Sequence, residues 1–303
     1  MSEARGLAAA ALTGVQVGAT ITATRALSAD LGPVTLALMR YGIGLLVLAP
    51  FFLRLRRVPI APRDILPLLA LGTAQFGLLV WLLNWGLARV PAGRGALIFA
   101  MFPLLTLVLA ATLGREAMSW RKVAGVLVSI LGVALTLGES LLRAAGGSAW
   151  GALAVLAAAG TGAGCAVFYR PYLERYPTLQ VGFVAMAAAV AALALGSLSE
   201  SPGTAVAGLD RTGWALVLFI GLASGAGYLL WLTALRHTTP TRATVLMGLS
   251  PATAAVLGIA LLGERATPTL WLGLAAVLAG AALTARGGKN APETGLAFGE
   301  TGR

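Results

Sequence analysis

Long apolar runs alternate along this chain with short polar connections, and the runs share one length. About 20 apolar residues at 1.5 Å per residue cross a hydrocarbon core of about 30 Å. By that measure the runs fall near 6–28, 33–53, 65–88, 94–113, 120–140, 150–170, 178–198, 212–235, 242–262 and 268–286. The connections carry charges and chain breakers, as in LRLRRVPIAPRD and LGREAMSWRK. The pattern predicts an all-α integral membrane protein of ten transmembrane helices, with a polar, disordered tail at 287–303.

Composition agrees with the pattern. The 303 residues are 58% hydrophobic and only 11% charged, so the apolar surface needs lipid as its solvent. A soluble helical protein would keep a charged face on every helix, and long stretches here have none. The formal net charge of +11 does not point to nucleic acid, because Lys and Arg recur at the ends of apolar runs, where they set topology and meet lipid headgroups. With Arg5, Arg54, Arg56, Arg57, Arg63, Arg115, Arg121, Lys122, Arg170, Arg175, Arg236, Arg242, Arg286 and Lys289 on one side and mainly Arg89, Arg94, Arg143, Arg211 and Arg265 on the other, both termini are expected in the cytoplasm of a bacterial inner membrane. The first apolar run reads as a retained helix, not a cleaved leader. Cys165 stands alone, which leaves no internal disulfide or thiolate cluster.

Sliding the chain on itself by 148 positions pairs Gly77 with Gly225, Arg94 with Arg242, Pro103 with Pro251, Glu116 with Glu264, Gly125 with Gly273, Gly132 with Gly280 and Thr136 with Thr284, without a gap. Paired Pro, Glu and Arg at one spacing indicate duplication: a first five-helix repeat at 1–143 and a second at 144–286. An odd number of spans per repeat inverts the second, so the expected architecture is a 5+5 inverted repeat around a central cavity. Two equivalent halves can exchange roles, as alternating access requires.

The segments MFPLLTLVLAATLGREAMSWRKVAGVLVSILGVAL and LSPATAAVLGIALLGERATPTLWLGLAAVLAGAAL each hold a proline and a following "GRE" or "GE" turn. In this they resemble EamA-type members of the drug/metabolite transporter superfamily, and the resemblance extends over about 6–286. The second segment is the closer match; the first inserts Arg115 between Gly114 and Glu116. Within the superfamily the chain is most similar to the aromatic amino-acid exporter branch, the YddG type. The resemblance implies export of amino acids, aromatic and other neutral ones, and of related metabolites through a central cavity lined by both halves.

Candidate site residues follow from polar or aromatic groups inside the runs. The third run holds Gln75, Trp81, Asn84 and Trp85; a buried amide in lipid needs a partner or water, so Gln75 and Asn84 either bond a neighbouring helix or face a cavity. Trp81 and Trp85 share a face and read as interface anchors or as pocket walls, and Tyr228 and Trp231 form a similar pair in the eighth run. Gln16 and Thr20 lie one turn apart in the first run; Phe168 lies in the sixth, and Phe99 and Met247 in or beside the fourth and ninth. Pro103 and Pro251 remove a helix hydrogen bond and read either as hinges that gate the cavity or as static kinks. Arg40 is a cation well inside a run; it either snorkels to the interface or binds a substrate carboxylate.

All eleven acidic residues fall at run ends, in loops or in the tail, so no mid-membrane carboxylate relay is expected, and Glu116 and Glu264 read as caps or ion-pair partners before proton carriers. No phosphate-binding glycine loop, metal-spaced His cluster or Ser/His/Asp set occurs. The expectation is a secondary transporter without cofactor, metal or catalytic residues, working on a small-molecule substrate in the lipid bilayer; a monomer is expected. A channel-like pore and an intramembrane lipid-modifying enzyme are the alternatives.

Overall fold

The computed structural model describes residues 2–114, 119–143, 147–237, 246 and 249–287. These residues form helices and connections, with no strand among them. In chain order the helices are α1 (Ser2–Leu27), α2 (Pro33–Arg54), α3 (Pro62–Gly72), a π-helical turn (Thr73–Leu78) and α4 (Leu79–Leu87). Then come α5 (Ala92–Phe99), α6 (Phe102–Thr112), α7 (Trp120–Arg143), α8 (Gly147–Arg175) and α9 (Thr178–Ser197). The short α10 (Pro202–Ala207) precedes α11 (Arg211–His237), α12 (Leu249–Leu262) and α13 (Pro268–Gly287).

Local chemistry sets these limits. Pro33, Pro62, Pro202 and Pro268 open their helices, where the missing N–H costs no helix bond. At the other end, α6 and α12 each stop on a left-handed glycine, Gly114 at φ +67° and Gly263 at φ +64°.

Among the described residues, seven helices are long and apolar enough to cross a membrane: Ala4–Leu27, Pro33–Arg54, Pro62–Leu87, Ala92–Thr112, Ala149–Arg175, Thr178–Glu200 and Arg211–Trp231. Leu249–Leu262 and Pro268–Gly280 are shorter apolar helices. The run predicted at 120–140 is helical within α7, which carries Arg121 and Lys122 in its first turn and is not one of the seven. The ninth predicted run, 242–262, begins outside the described residues, as does the tail from 288 onward.

Each long helix packs on helices distant in sequence. α1 lies against α11 and α12, α8 against α4 and α6, and α2 against both α11 and α9; α5 meets α12. The main apolar core draws Leu79, Leu83, Leu87, Leu97 and Ile98 together with Val155, Met186 and Ala254. α7 and α13 lie along each other with backbones in close approach. A Cβ at Gly132 would press on the Gly273 carbonyl, one at Gly280 would press on the Gly125 carbonyl, and the Ser129 hydroxyl approaches the Val277 carbonyl at 3.5 Å.

Polar ties close both ends of the bundle. At one end the Glu200 carboxylate accepts from the Val34 and Thr35 amides at 3.0 and 2.7 Å, and the Arg25 guanidinium donates to the Ala88 carbonyl at 2.8 Å. At the other, Gln180 bonds the Val58 backbone in both directions, at 3.0 Å to its N–H and 2.6 Å to its carbonyl. There the Tyr176 hydroxyl donates to Asp64 at 2.8 Å and accepts from the Ala61 amide at 3.0 Å.

Candidate functional site

One face of α11 organises the polar and aromatic groups of the interior. Ser224, Gly227, Tyr228 and Trp231 stand at i, i+3, i+4 and i+7 and so form one stripe. Ser224 is the central residue of this 27-residue helix. Its hydroxyl accepts a hydrogen bond from Arg40 Nε at 2.8 Å. Arg40 sits about 10 Å into α2 from its N-terminus, at seven residues of helix rise. No carboxylate pairs with it among the described residues. A hydroxyl meets one of the five guanidinium donors and supplies no counter-charge, so a cation at this depth still requires an anion or water.

An aromatic group adjoins this pair. The Arg40 guanidinium carbon lies 5.7 Å from the Tyr41 ring centre. Phe76 meets Tyr41 edge-on at 5.1 Å and Tyr228 edge-on at 6.5 Å, the arrangement that ring quadrupoles favour. The Tyr228 hydroxyl donates to the Thr178 carbonyl at 3.3 Å and rests on Gly182, where no side chain intervenes.

Phe76 and Gln75 belong to the π-helical turn. Such a turn widens the helix by one residue and re-aims the side chains on it, a local cost commonly found at functional positions. Gln75 is half-buried, and its amide makes no hydrogen bond among the described residues. Gln16 is alike: half-buried in α1, unbonded among the described residues, and pressed against Gly227 so closely that a Cβ there would strike its amide.

The remaining predicted residues lie elsewhere. Thr20 is fully buried, and its hydroxyl donates to the Val17 carbonyl of its own helix at 2.9 Å. Asn84 is buried and donates to the Pro33 carbonyl at 3.0 Å, a tie between α4 and α2. Trp81 is 38% exposed and Phe168 48%, whereas Trp231 packs on Ala9, Ala10 and Ala234. Phe99 stacks on Phe102 with ring centres 6.1 Å apart.

The fourth run is broken, with Ala100 and Met101 separating α5 from α6. Pro103 occupies the start of α6 and denies the Phe99 carbonyl its i+4 donor. Pro251 is buried in the first described turn of α12. Met247 and Glu116 lie outside the described residues.

Sequence reasoning missed Tyr41, Phe76, Ser224 and Gly227. The signal for the last two was present as the i, i+3, i+4, i+7 spacing with Tyr228 and Trp231. Taken together, the α11 face gathers one cation with no paired carboxylate among the described residues, the unbonded Gln16 amide and a set of aromatic edges; these groups include no acid–base pair.

The profile of the EamA-like transporter family matches twice, over residues 4–138 and 149–286. A probable terminal-alkyne amino-acid exporter of Streptantibioticus cattleyicolor is 32% identical over 232 residues, 73% of this chain and 73% of that one. An uncharacterized transporter of Archaeoglobus fulgidus is 26% identical over 283 residues, 91% of this chain and 97% of the relative. A crystal structure with 19% identity shares the fold at a TM-score of 0.67, over 97% of this chain and 100% of that one.

Proposed function

Since the chain belongs to the EamA-like transporter family, we propose that it is a secondary transporter exporting amino acids, aromatic and other neutral ones, and related small metabolites by alternating access. It is a multi-pass membrane protein whose described residues include seven membrane-length helices, and its architecture is ten spans in a 5+5 inverted repeat around a central cavity. It sits in the bacterial inner membrane with both termini cytoplasmic. Three observations support the repeat. The family profile matches twice. The packing of α1 on α11 and α12 is mirrored by that of α8 on α4 and α6, as a two-fold relation between the first and sixth spans would require. The close approaches of Gly132 to Gly273 and of Gly280 to Gly125 are reciprocal at the 148-residue offset.

The observation that carries the substrate reading is the Arg40–Ser224 pair, a cation at interior depth with no carboxylate beside it among the described residues. A substrate carboxylate supplies the missing charge through charge-assisted hydrogen bonds. The free oxygens of Gln16 and Gln75 accept from a substrate ammonium, and Tyr41, Phe76 and Tyr228 face an apolar or aromatic side chain. The amino-acid export named for the Streptantibioticus relative fits that chemistry. Pro103, which costs the fourth span a helix bond, and its repeat counterpart Pro251 serve as hinges.

Flux in proteoliposomes loaded with labelled amino acids, with and without a pH gradient, tests this reading. Saturable uptake with counterflow is expected, and Arg40→Ala abolishes it while the protein still inserts. Wild-type flux in Arg40→Ala, or flux that does not saturate, overturns it in favour of a pore.

A further inference from the structure

The ten residues 54–63, from the last of α2 through the connection to the second of α3, carry four exposed arginines, Arg54, Arg56, Arg57 and Arg63. Their charge is largely uncompensated. Arg54 and Arg56 make no hydrogen bond, ion pair or ring contact among the described residues. The Arg57 guanidinium lies over the Phe52 ring at 5.0 Å, and Arg63 reaches the Asp64 carboxylate only at 3.9 Å. Asp64, the next residue, is the one acid adjoining the stretch, and it is already held by Tyr176 at 2.8 Å and by Arg175 at 3.2 Å.

The backbone that presents these arginines is held in place. Gln180 grips both polar groups of Val58, the Tyr176 hydroxyl takes the Ala61 amide, and Phe52 lies flat on Phe183 with ring centres 4.0 Å apart. Topology alone asks only for positive charge in a loop. It does not ask for a loop tied down at three points. Exposed Leu53, Val58, Ile65 and Leu66 flank the arginines, so an apolar surface lies directly beside the charge.

We infer that this end of the bundle holds a site for the headgroup of an anionic phospholipid. The phosphodiester lies among Arg54, Arg56 and Arg57, and the acyl chains run along Leu53, Ile65 and Leu66. Guanidinium groups match phosphate oxygens in charge and geometry, and fixing them in advance removes the ordering cost that a loose basic segment would meet. The occupant is a lipid and not free phosphate, because the flanking apolar side chains have no role toward an inorganic ion.

The test is native mass spectrometry of the detergent-purified full chain with phosphatidylglycerol, phosphatidylcholine and inorganic phosphate. The wild type retains phosphatidylglycerol and not phosphatidylcholine. The Arg54→Gln/Arg56→Gln/Arg57→Gln variant binds phosphatidylglycerol about a hundredfold more weakly, from about tenfold or less per arginine near a charged headgroup. Removing three arginines from the other end, Arg89→Gln/Arg211→Gln/Arg265→Gln, leaves binding unchanged. Equal retention by the two triple variants overturns the site, and so does equal retention of phosphatidylcholine by the wild type. Displacement of the lipid by millimolar inorganic phosphate overturns the choice of occupant. Should the loop variant not fold, Arg56→Gln with a salt titration decides: lipid is lost as salt rises if the site is electrostatic, and salt-insensitive retention rejects it.

Discussion

The carboxylate of Glu264 accepts a hydrogen bond from the Ala92 amide at 2.7 Å and a longer one from Gly93 at 3.5 Å, reaching a helix start 172 residues earlier in the chain. The residue before α5 is Pro91, which offers no side-chain cap of its own, so a distant acid meets the open amides and the positive end of the helix dipole. Glu264→Ala should lower stability by about 1–2 kcal/mol, and Glu264→Gln by less, because its amide oxygen still accepts. Glu200 does the same for α2 through Val34 and Thr35. As the two caps share no partner, Glu200→Ala and Glu264→Ala should add within about 0.5 kcal/mol. Thermal unfolding in one detergent measures the three single variants and the double alanine variant; an alanine variant as stable as the wild type refutes the cap.

Tyr176 is the hub at the opposite end of the bundle. Its hydroxyl stands between the Asp64 carboxylate, itself 6% exposed, and the Ala61 amide. Tyr176→Phe keeps the ring and removes both bonds, leaving a buried carboxylate with one fewer donor and an amide with no acceptor. The expected loss is about 1–3 kcal/mol. Arg175→Gln should cost less, since the Arg175 side chain is 51% exposed and its pairing with Asp64 is screened by water. Denaturation curves that rank the two in the reverse order would reject the assignment of Tyr176 as the hub.

The seam between α7 and α13 depends on missing side chains. With Gly132 against the Gly273 carbonyl and Gly280 against the Gly125 carbonyl, a leucine at either glycine forces the two backbones apart, at a cost of about 1–3 kcal/mol each. Because both substitutions separate the same pair of helices, the second adds less than the first. Thermal unfolding of both leucine variants and of the double in one detergent checks this; a Gly132→Leu variant as stable as the wild type would show that the seam tolerates bulk.

The helix limits were legible in the sequence where a breaker marks them. The run predicted at 33–53 is helix Pro33–Arg54, and that at 212–235 is Arg211–His237, because an opening proline or a charge ends the apolar stretch. The π-helical turn was not legible, since TAQFGL holds no proline and its single glycine, Gly77, does not distinguish a π turn from an α turn; the turn packs against α2, α8 and α9. Arg40 stands out as a charge in an apolar run, but Ser224 does not: a serine between Ala223 and Gly225 reads as close packing until the facing helix is known. Glu264 reads as a cap from its place at a helix end, whereas the helix it caps lies far away in sequence.

Ser224 separates positioning from binding in the proposed amino-acid site. Its hydroxyl fixes the Arg40 guanidinium through one bond at 2.8 Å and leaves the other donors for a carboxylate. A hydrogen bond to a charged group is worth about 1.5–3 kcal/mol. Ser224→Ala should therefore raise the KM for amino acids by roughly tenfold or more, with little change in the maximal rate. Amino-acid amides, which lack the carboxylate, should compete weakly with the wild type and no less well with the variant. Ser224→Thr keeps the hydroxyl and should restore the lower KM. Competition assays in proteoliposomes read all three; a KM that rises equally for acids and amides would mean that Ser224 shapes the helix packing and does not orient Arg40.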